Sequence, residues 1–149
     1  MPNTYTNLFF HVVFSVKERR PLLLLNLQKQ LYPYICGIAN NNKFKIICVN
    51  GTDDHIHILF SLRPDLAISK AIQLVKGGSS KWIHDNFPNL KIFSWQEGYG
   101  AFTVSASQID VIKKYIYNQK QHHQKMNFTQ EYKLSLEKNN INFDEKYLF

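Results

Sequence analysis

The stretch DDHIHILF, residues 53–60, places two histidines on either side of one isoleucine and then continues as an apolar strand. Side chains at positions i and i+2 of a strand point to the same face. His55 and His57 therefore project together, whereas Ile56, Ile58 and Phe60 point to the opposite face. Two neutral imidazoles side by side can hold a divalent metal ion, but a half-exposed strand can also carry two histidines without one.

The segments around this stretch alternate between strand-like and helix-like patterns. Strands are predicted over 4–17, 44–51, 55–62 and most of 91–105, and helices over 22–42, 66–87 and 108–123. The order β-α-β-β-α-β predicts an α+β fold of the ferredoxin-like (RRM-like) split type, with an antiparallel sheet and an added C-terminal helix at 108–123. We expect one domain over 1–149, in which 128–149 forms a short helix and an extended end.

Two helices of such a fold cover one face of the sheet. We expect Ile56 and its apolar neighbours to pack beneath them, so that His55 and His57 stand on an open face within reach of a ligand. Two features conflict with regular helices. Pro33 predicts a kink or a restart in the first helix, and the pair Gly77–Gly78 argues against an unbroken second helix.

Composition restricts the class of partner and the compartment. Lys and Arg number 18 against 11 Asp and Glu, and the net charge of +7 favours a polyanion such as nucleic acid. Cys36 and Cys48 stand in apolar surroundings without C-x-x-C spacing, which predicts free thiols in a reducing compartment. The N-terminus does not read as a signal peptide, and no apolar run is long enough for a membrane span. We expect a soluble cytoplasmic protein.

The predicted helix at 108–123 contains two tyrosines, each followed four residues later by a glutamine: Tyr115–Gln119 and Tyr117–Gln121. Its buried stripe consists of three isoleucines: Ile109, Ile112 and Ile116. At about 100° per residue, Tyr115 and Gln119 lie on the flank of this stripe with His122 nearby, and Tyr117 points outward. Tyr115 could equally be a half-buried core tyrosine.

A tyrosine beside a bound metal ion has a specific chemical use. Its phenol becomes a nucleophile when a base or a positive field helps to remove the proton. A divalent cation can polarise a phosphoryl oxygen and neutralise charge in the transition state. Together the two groups can cleave a phosphodiester by transesterification, and the covalent phosphotyrosine keeps the bond energy for rejoining without ATP.

Four motifs of the chain carry a resemblance to a known family: HIH at 55–57, WQEGYGAFTVS at 95–105, YIYNQKQHH at 115–123 and DEKYLF at 144–149. The opening VVFSVKERRPLL fits as well. The chain resembles the HUH single-tyrosine transposases of small bacterial and archaeal insertion sequences, a group that includes the IS200-like and REP-associated tyrosine transposases. The resemblance covers essentially the whole chain.

The resemblance implies a set of roles for this sequence. His55, His57 and Gln119 would be ligands of Mg²⁺ or Mn²⁺, of which Mn²⁺ suits the mixed donors better. Tyr115 would attack single-stranded DNA and leave a 5′-phosphotyrosine and a free 3′-OH. The family also implies a homodimer joined at the sheet edges, in which the tyrosine helix of one subunit can complete the histidine pair of the other, and recognition of DNA hairpins at the element ends.

Further residues flank this proposed site. A Lys or Arg side chain on a helix is usually just solvated. Here the basic residues are grouped around the proposed site, which favours contacts with DNA phosphates. The candidates are Lys17, Arg19, Arg20, Lys76, Lys81, Lys113 and Lys114. His122 is a candidate phosphate or proton partner. Asp53 and Asp54 are turn residues that could also orient an imidazole. We expect His11 and His84 to be structural.

Three other functions fit parts of the pattern. An inactive or domesticated transposase would be a nucleic-acid-binding module without chemistry, although the intact Tyr115 and histidine pair argue against it. A water-using, metal-dependent phosphodiesterase would not need Tyr115 and would form no covalent adduct. Relaxases and rolling-circle initiators share the histidine pair but usually have longer chains and a differently placed tyrosine.

Overall fold

The computed structural model describes residues 3–149 and contains one four-stranded sheet in that range. Its strands are β1 (Phe9–Ser15), β2 (Lys45–Gly51), β3 (His55–Ser61) and β4 (Gly100–Val104). They lie in the order β2-β3-β1-β4, and every neighbouring pair is antiparallel. Helix α1 (Leu25–Asn41) joins β1 to β2, and α2 (Ile68–Asn86) joins β3 to β4. The fold is therefore the predicted α+β, ferredoxin-like split arrangement.

Three helices follow the sheet: α3 (Ile109–Tyr117), α4 (Gln119–His122) and α5 (Phe128–Lys138). The helix predicted over 108–123 is thus two helices, separated at Asn118. Asn50 of β2 donates its side-chain amide to the carbonyls of Ile116 (3.1 Å) and Tyr117 (3.2 Å). This side chain satisfies carbonyls at the end of α3, where a helix leaves acceptors unpaired.

The main core lies between one face of the sheet and helices α1 and α2. Residues Ile56, Ile58 and Phe60 of β3 are at most 1% exposed and belong to it, as strand alternation predicts. Leu31 and Ile35 of α1, on either side of Pro33, are fully buried in the same core. Their packing accounts for a helix that continues through the proline, and the expected restart is not found.

The double glycine also lies inside an unbroken helix, because Gly78 is where α1 and α2 approach each other. A Cβ atom at Gly78 would lie 2.9 Å from Cδ1 of Ile38. The expectation that Gly77–Gly78 interrupts α2 is therefore wrong: the missing side chain permits close helix packing.

The strand predicted over 91–105 is confined to Gly100–Val104, with Trp95 forming one isolated bridge to Val16. The ring of Trp95 packs edge-on against Phe14, and the Lys76 ammonium of α2 donates to carbonyls in the segment 96–98. The segment before β4 is therefore fixed by core packing and by the Lys76 ammonium, not by strand pairing. Its aromatic residues had suggested a strand.

The second face of the sheet is not open, which corrects the expectation from sequence. Helices α3, α4 and α5 cover it, and His55 and His57 are 0% and 1% exposed. Two small apolar clusters pack these helices against the second face of the sheet. One contains Val13, Phe102, Phe128, Tyr132, Leu136 and Leu148, and the other contains Cys48, Leu59, Val104 and Ile116.

Both cysteines are free thiols, as predicted, and burial raises the pKa of Cys48 to about 11.

Among the helices of residues 3–149, none is long and apolar enough to cross a membrane. The C-terminal end turns back as a short 3-10 helix, Glu145–Tyr147, instead of the expected extended segment.

We predict that Gly100→Val lowers the free energy of unfolding by about 1–3 kcal/mol. A Cβ atom at Gly100 would lie 2.7 Å from the ring of Tyr132 on α5, so the new side chain would push that helix off the sheet. Urea unfolding measures the change. Thr103→Val, at an exposed position of the same strand, is the control and should change stability by less than about 0.5 kcal/mol. Equal effects of the two substitutions would contradict this account of how α5 is seated.

Candidate active site

One carboxylate, that of Glu131 on α5, lies at the centre of a polar cluster beneath the helices of the second face. Its side chain is 3% exposed. A buried charge of this kind is stable only when it is paired and fully hydrogen-bonded. Side chains from β3, α3 and the segment 119–123 meet at its two oxygens, and each oxygen has a different set of neighbours.

The Oε1 atom of Glu131 faces imidazoles. His57 Nε2 and His123 Nε2 each lie 3.0 Å from it, and His55 Nε2 lies 3.5 Å away. The side-chain oxygen of Gln119 is 3.2 Å from His55 Nε2 and 3.0 Å from His123 Nε2. The structure thus brings together the two histidines and the glutamine that the sequence singled out, and adds His123.

The Oε2 atom of Glu131 faces the tyrosine. Tyr115 donates its hydroxyl to this oxygen, and Gln119 Nε2 donates to it over 3.1 Å. His122 Nε2 lies 3.2 Å away but has no hydrogen-bond partner within the described residues. Tyr117 is 56% exposed and lies outside the cluster. Tyr115 is therefore the tyrosine that reaches the site, as its helical position predicts.

The Nδ1 atoms of the two strand histidines, on the side of each ring away from Glu131, have their own hydrogen-bond partners. His55 Nδ1 lies 2.7 Å from Asp54 Oδ1, which also accepts a hydrogen bond from the Thr52 hydroxyl. His57 Nδ1 lies 2.8 Å from His11 Nε2. These contacts at Nδ1 aim both Nε2 atoms at the cluster, as the outer partners of metal-binding histidines do. Asp54 is thus more than a turn residue, and His11 belongs to the site.

The cluster has a defined charge distribution. Burial lowers the pKa of His55, but the hydrogen bonds and charges of two carboxylates outweigh it and raise that pKa to about 8. Burial dominates at His57 and lowers its pKa to about 4. Burial opposes ionisation of Glu131, yet the surrounding histidines hold its pKa far below the ordinary range. Burial and the Glu131 charge raise the pKa of Tyr115, so the phenol keeps its proton until a group accepts it.

The donor set fits a divalent metal ion. One nitrogen each of His55, His57 and His123 and one oxygen of Glu131 all lie within 4.8 Å of one another. Imidazole nitrogens suit transition metals, whereas carboxylate and amide oxygens suit Mg²⁺ and Mn²⁺. Three imidazoles and one carboxylate therefore offer both kinds of donor to a divalent metal ion.

The family model described as "Transposase IS200 like" matches residues 4–119 of this chain. The chain belongs to this family. The ISDra2 transposase TnpA of Deinococcus radiodurans is 30% identical over 115 residues, covering 74% of this chain and 82% of that relative. The IS200 transposase of Salmonella typhimurium is 26% identical over 124 residues, covering 80% and 81%. The protein is thus a DNA transposase of the tyrosine HUH type.

Solved structures share the transposase's fold. A crystal structure from Deinococcus radiodurans R1 has a TM-score of 0.66 at 24% identity, covering 78% of this chain and 94% of that chain. A REP-associated tyrosine transposase bound to a REP hairpin has a TM-score of 0.62 at 19% identity, covering 81% and 72%. At these identities the likeness concerns the arrangement of helices and strands.

The basic residues expected to contact DNA are spread over both sides of the transposase. Lys76 and Lys81 lie on α2, across the sheet from the site. The Lys76 ammonium is bound to the carbonyls of residues 96–98, where burial lowers its pKa to about 8, and Lys81 pairs with Asp85 at 2.7 Å. The phosphate contact of Lys76 stays a prediction, and in this structure its ammonium binds the carbonyls of a loop.

The other basic residues lie on or near the site's side of the sheet. Lys17 and Arg20 are exposed in the turn after β1. Arg19 donates to Thr129 of α5 over 2.8 Å. Lys113 and Lys114 lie on α3, and Lys114 is the exposed one of the pair, in a groove beside the site.

Three residues of the cluster were not predicted from sequence to act there: His11, His123 and Glu131. Strand alternation offered a signal for His11, because it lies on the face of β1 opposite Val12 and Phe14. Glu131 stands one turn after Phe128, on the apolar stripe of α5. A charge on such a stripe indicates a buried partner. His84, by contrast, donates to the carbonyl of Phe93 over 2.7 Å and is structural, as expected.

We predict that metal-free transposase is most stable near pH 6.5 and loses about 1–3 kcal/mol on either side. The unfolded chain takes up a proton on His57 near the ordinary pKa of 6.5, whereas the folded chain does so only near 4, so stability is lost as pH falls through this window. The raised pKa of His55 contributes stability that is present below 6.5 and lost as pH rises through about 8.

Urea unfolding with a chelator at pH 4.5, 6.5 and 8.5 measures this profile. His57→Asn should reduce the loss on the acid side, and His84→Asn should leave it unchanged. An acid-side loss of the same size in His57→Asn and in the unsubstituted protein would contradict the assignment to His57.

Proposed function

We propose that this transposase cleaves and rejoins single-stranded DNA by transesterification, with Tyr115 as the nucleophile. The observation that carries the proposal is the contact of the Tyr115 hydroxyl with the buried Glu131 carboxylate, at the edge of the imidazole cluster. The Tyr115 ring also packs against the imidazoles of His57 and His122, with ring centroids 5.7 Å and 5.3 Å away. The products would be a 5′-phosphotyrosine and a DNA strand with a free 3′-OH.

The side chains supply the proton transfers of this reaction. The Tyr115 oxygen attacks phosphorus, its proton passes to Glu131 Oε2, and the bond from phosphorus to the 3′-oxygen breaks. The 3′-oxygen takes up this proton from Glu131 Oε2 and leaves as a hydroxyl. Rejoining is the reverse: a 3′-OH attacks the phosphotyrosine, and Tyr115 regains its proton. We assign to His122, whose Nε2 lies 3.2 Å from Glu131 Oε2, the role of partner to a phosphate oxygen.

We assign the metal to His55, His57 and Gln119, with Glu131 and His123 as additional donors. A bound Mg²⁺ or Mn²⁺ would polarise the phosphoryl oxygen and stabilise the charge of the transition state. Asp54 and His11 keep the two strand imidazoles oriented toward it. His55, His57, Gln119 and Glu131 are buried, so their charges and dipoles interact more strongly than they would in water.

DNA hairpins at the element ends are the proposed substrate. The net charge of +7 supports a polyanionic partner, and a fold relative is a REP-associated transposase bound to a REP hairpin. Lys17, Arg20 and Lys114 are the exposed residues we propose for phosphate contacts. We propose that the chain works as one domain in the cytoplasm, where both free thiols stay reduced.

We propose assembly in cis, with Tyr115 packed against His57 of the same chain at 5.7 Å between ring centroids. A homodimer remains part of the proposal. The outer strands β2 and β4 provide two sheet edges to which a second copy could pair.

Covalent trapping tests the proposal. The transposase is incubated with Mn²⁺ and labelled single-stranded DNA from the ends of its own element, and denaturing gels detect a protein–DNA adduct. We expect an adduct that requires metal, is lost in Tyr115→Phe and persists in the matched control Tyr117→Phe. Cleavage that survives Tyr115→Phe would instead support a water-using phosphodiesterase. Binding without cleavage or adduct would support a DNA-binding module without chemistry.

A further inference from the structure

We infer that a cavity between α3, α5 and β4 binds the unpaired nucleobase next to the cleaved phosphate. The inference rests on the proposed function and adds a substrate subsite to it. The cavity, called here the base pocket, has a volume of about 290 Å³. It reaches both Tyr115 and Glu131, so any group inside it lies beside the proposed nucleophile.

The chemistry of the base pocket matches that of a nucleobase. Its apolar walls are Phe102, Val104, Ile112, Met126 and Leu134. Its polar side chains include Ser135, Lys138 and Asn139, of which the last two are exposed. Proteins that hold an unstacked base provide this combination, because a base has flat apolar faces and a hydrogen-bonding edge.

A second cavity meets the base pocket at the tyrosine. This backbone groove, of about 710 Å³, runs along one side of α3 and α4, and shares Tyr115 and His122 with the base pocket. Its lining is otherwise Val111, Lys114, Asn118, Gln121, Gln124 and Lys125, with no acidic side chain among these residues. Ammonium and amide groups of this kind suit phosphates.

The two cavities together fit one stretch of single-stranded DNA. Phosphates in the backbone groove bring the strand to Tyr115 from the side of Lys114 and Lys125, and the base attached beside the scissile phosphate turns into the base pocket. The Glu131 carboxylate, the acidic group in the lining of that pocket, is occupied by Tyr115 and the histidines. Its negative charge is therefore compensated before DNA arrives.

Leu134 supports a ligand in this position. It is a large apolar side chain on α5 that is 38% exposed and lines the base pocket instead of the core. Helix α5 also lies beyond residues 4–119, the part that matches the family model. The pocket therefore depends on a segment of this chain outside the matched region, and so could set which base this transposase accepts beside the cleavage point.

Abasic substitution of the DNA is the test. The cleaved phosphate is first mapped with the active transposase, and the nucleotides on its two sides are then made abasic one at a time. Dissociation constants are measured by fluorescence anisotropy with the Tyr115→Phe protein, which cannot react. Loss of one of the two bases should weaken binding by about tenfold, as expected when a stacked base is removed.

A filled pocket should abolish that difference. Leu134→Trp, added to Tyr115→Phe, should bind the intact and abasic strands equally, while the control Glu137→Trp, at an exposed position of the same helix outside both cavities, should keep the tenfold preference. Unchanged binding of both abasic strands by the Tyr115→Phe protein would overturn the inference, and this arm needs no substitution in α5. If adducts form normally in that case, the proposed function stands without the base pocket. Absence of any adduct would refute the proposed function itself.

Discussion

The buried carboxylate of Glu131 is the interaction on which the second face of this transposase depends. An isolated charge at that depth would be too costly to keep, and removal of one partner of such a group leaves the others uncompensated. Here the carboxylate meets His55, whose pKa is raised to about 8, together with neutral donors from α3 and α4, Tyr115 and Gln119. The same group therefore holds α3, α4 and α5 together and assembles the reactive side chains.

Several backbone features make this meeting geometrically possible. The absent side chain of Gly100 lets Tyr132 bring α5 against the sheet. Asn50 binds the carbonyls that end α3, so that the chain restarts at Gln119 with its amide buried in the cluster. Tyr115, Gln119 and His123 are spaced four residues apart, so their side chains lie on one face of this segment and all three point inward.

The periodicity of apolar residues in strands and helices predicted most of the fold and part of the site. The period of two in strands placed His55 and His57 together, opposite Ile56, and helical geometry chose Tyr115 over Tyr117. Periodicity could not reveal Glu131, which is 74 residues from His57 in the chain and reaches it only because α5 folds back over the sheet. The open face expected for the histidines was wrong for the same reason: the tail that covers them is specified by tertiary packing, not by a local pattern.

The metal affinity of Glu131→Gln tests the central role of this carboxylate most directly. Isothermal titration of Mn²⁺ into the unsubstituted transposase, Glu131→Gln and the exposed control Glu137→Gln requires no DNA and no turnover. We expect Glu131→Gln to weaken Mn²⁺ binding by about 10- to 100-fold and Glu137→Gln to leave the Mn²⁺ affinity unchanged. Equal Mn²⁺ affinity in all three proteins, each shown to be folded by its unfolding transition, would contradict a metal site built around Glu131.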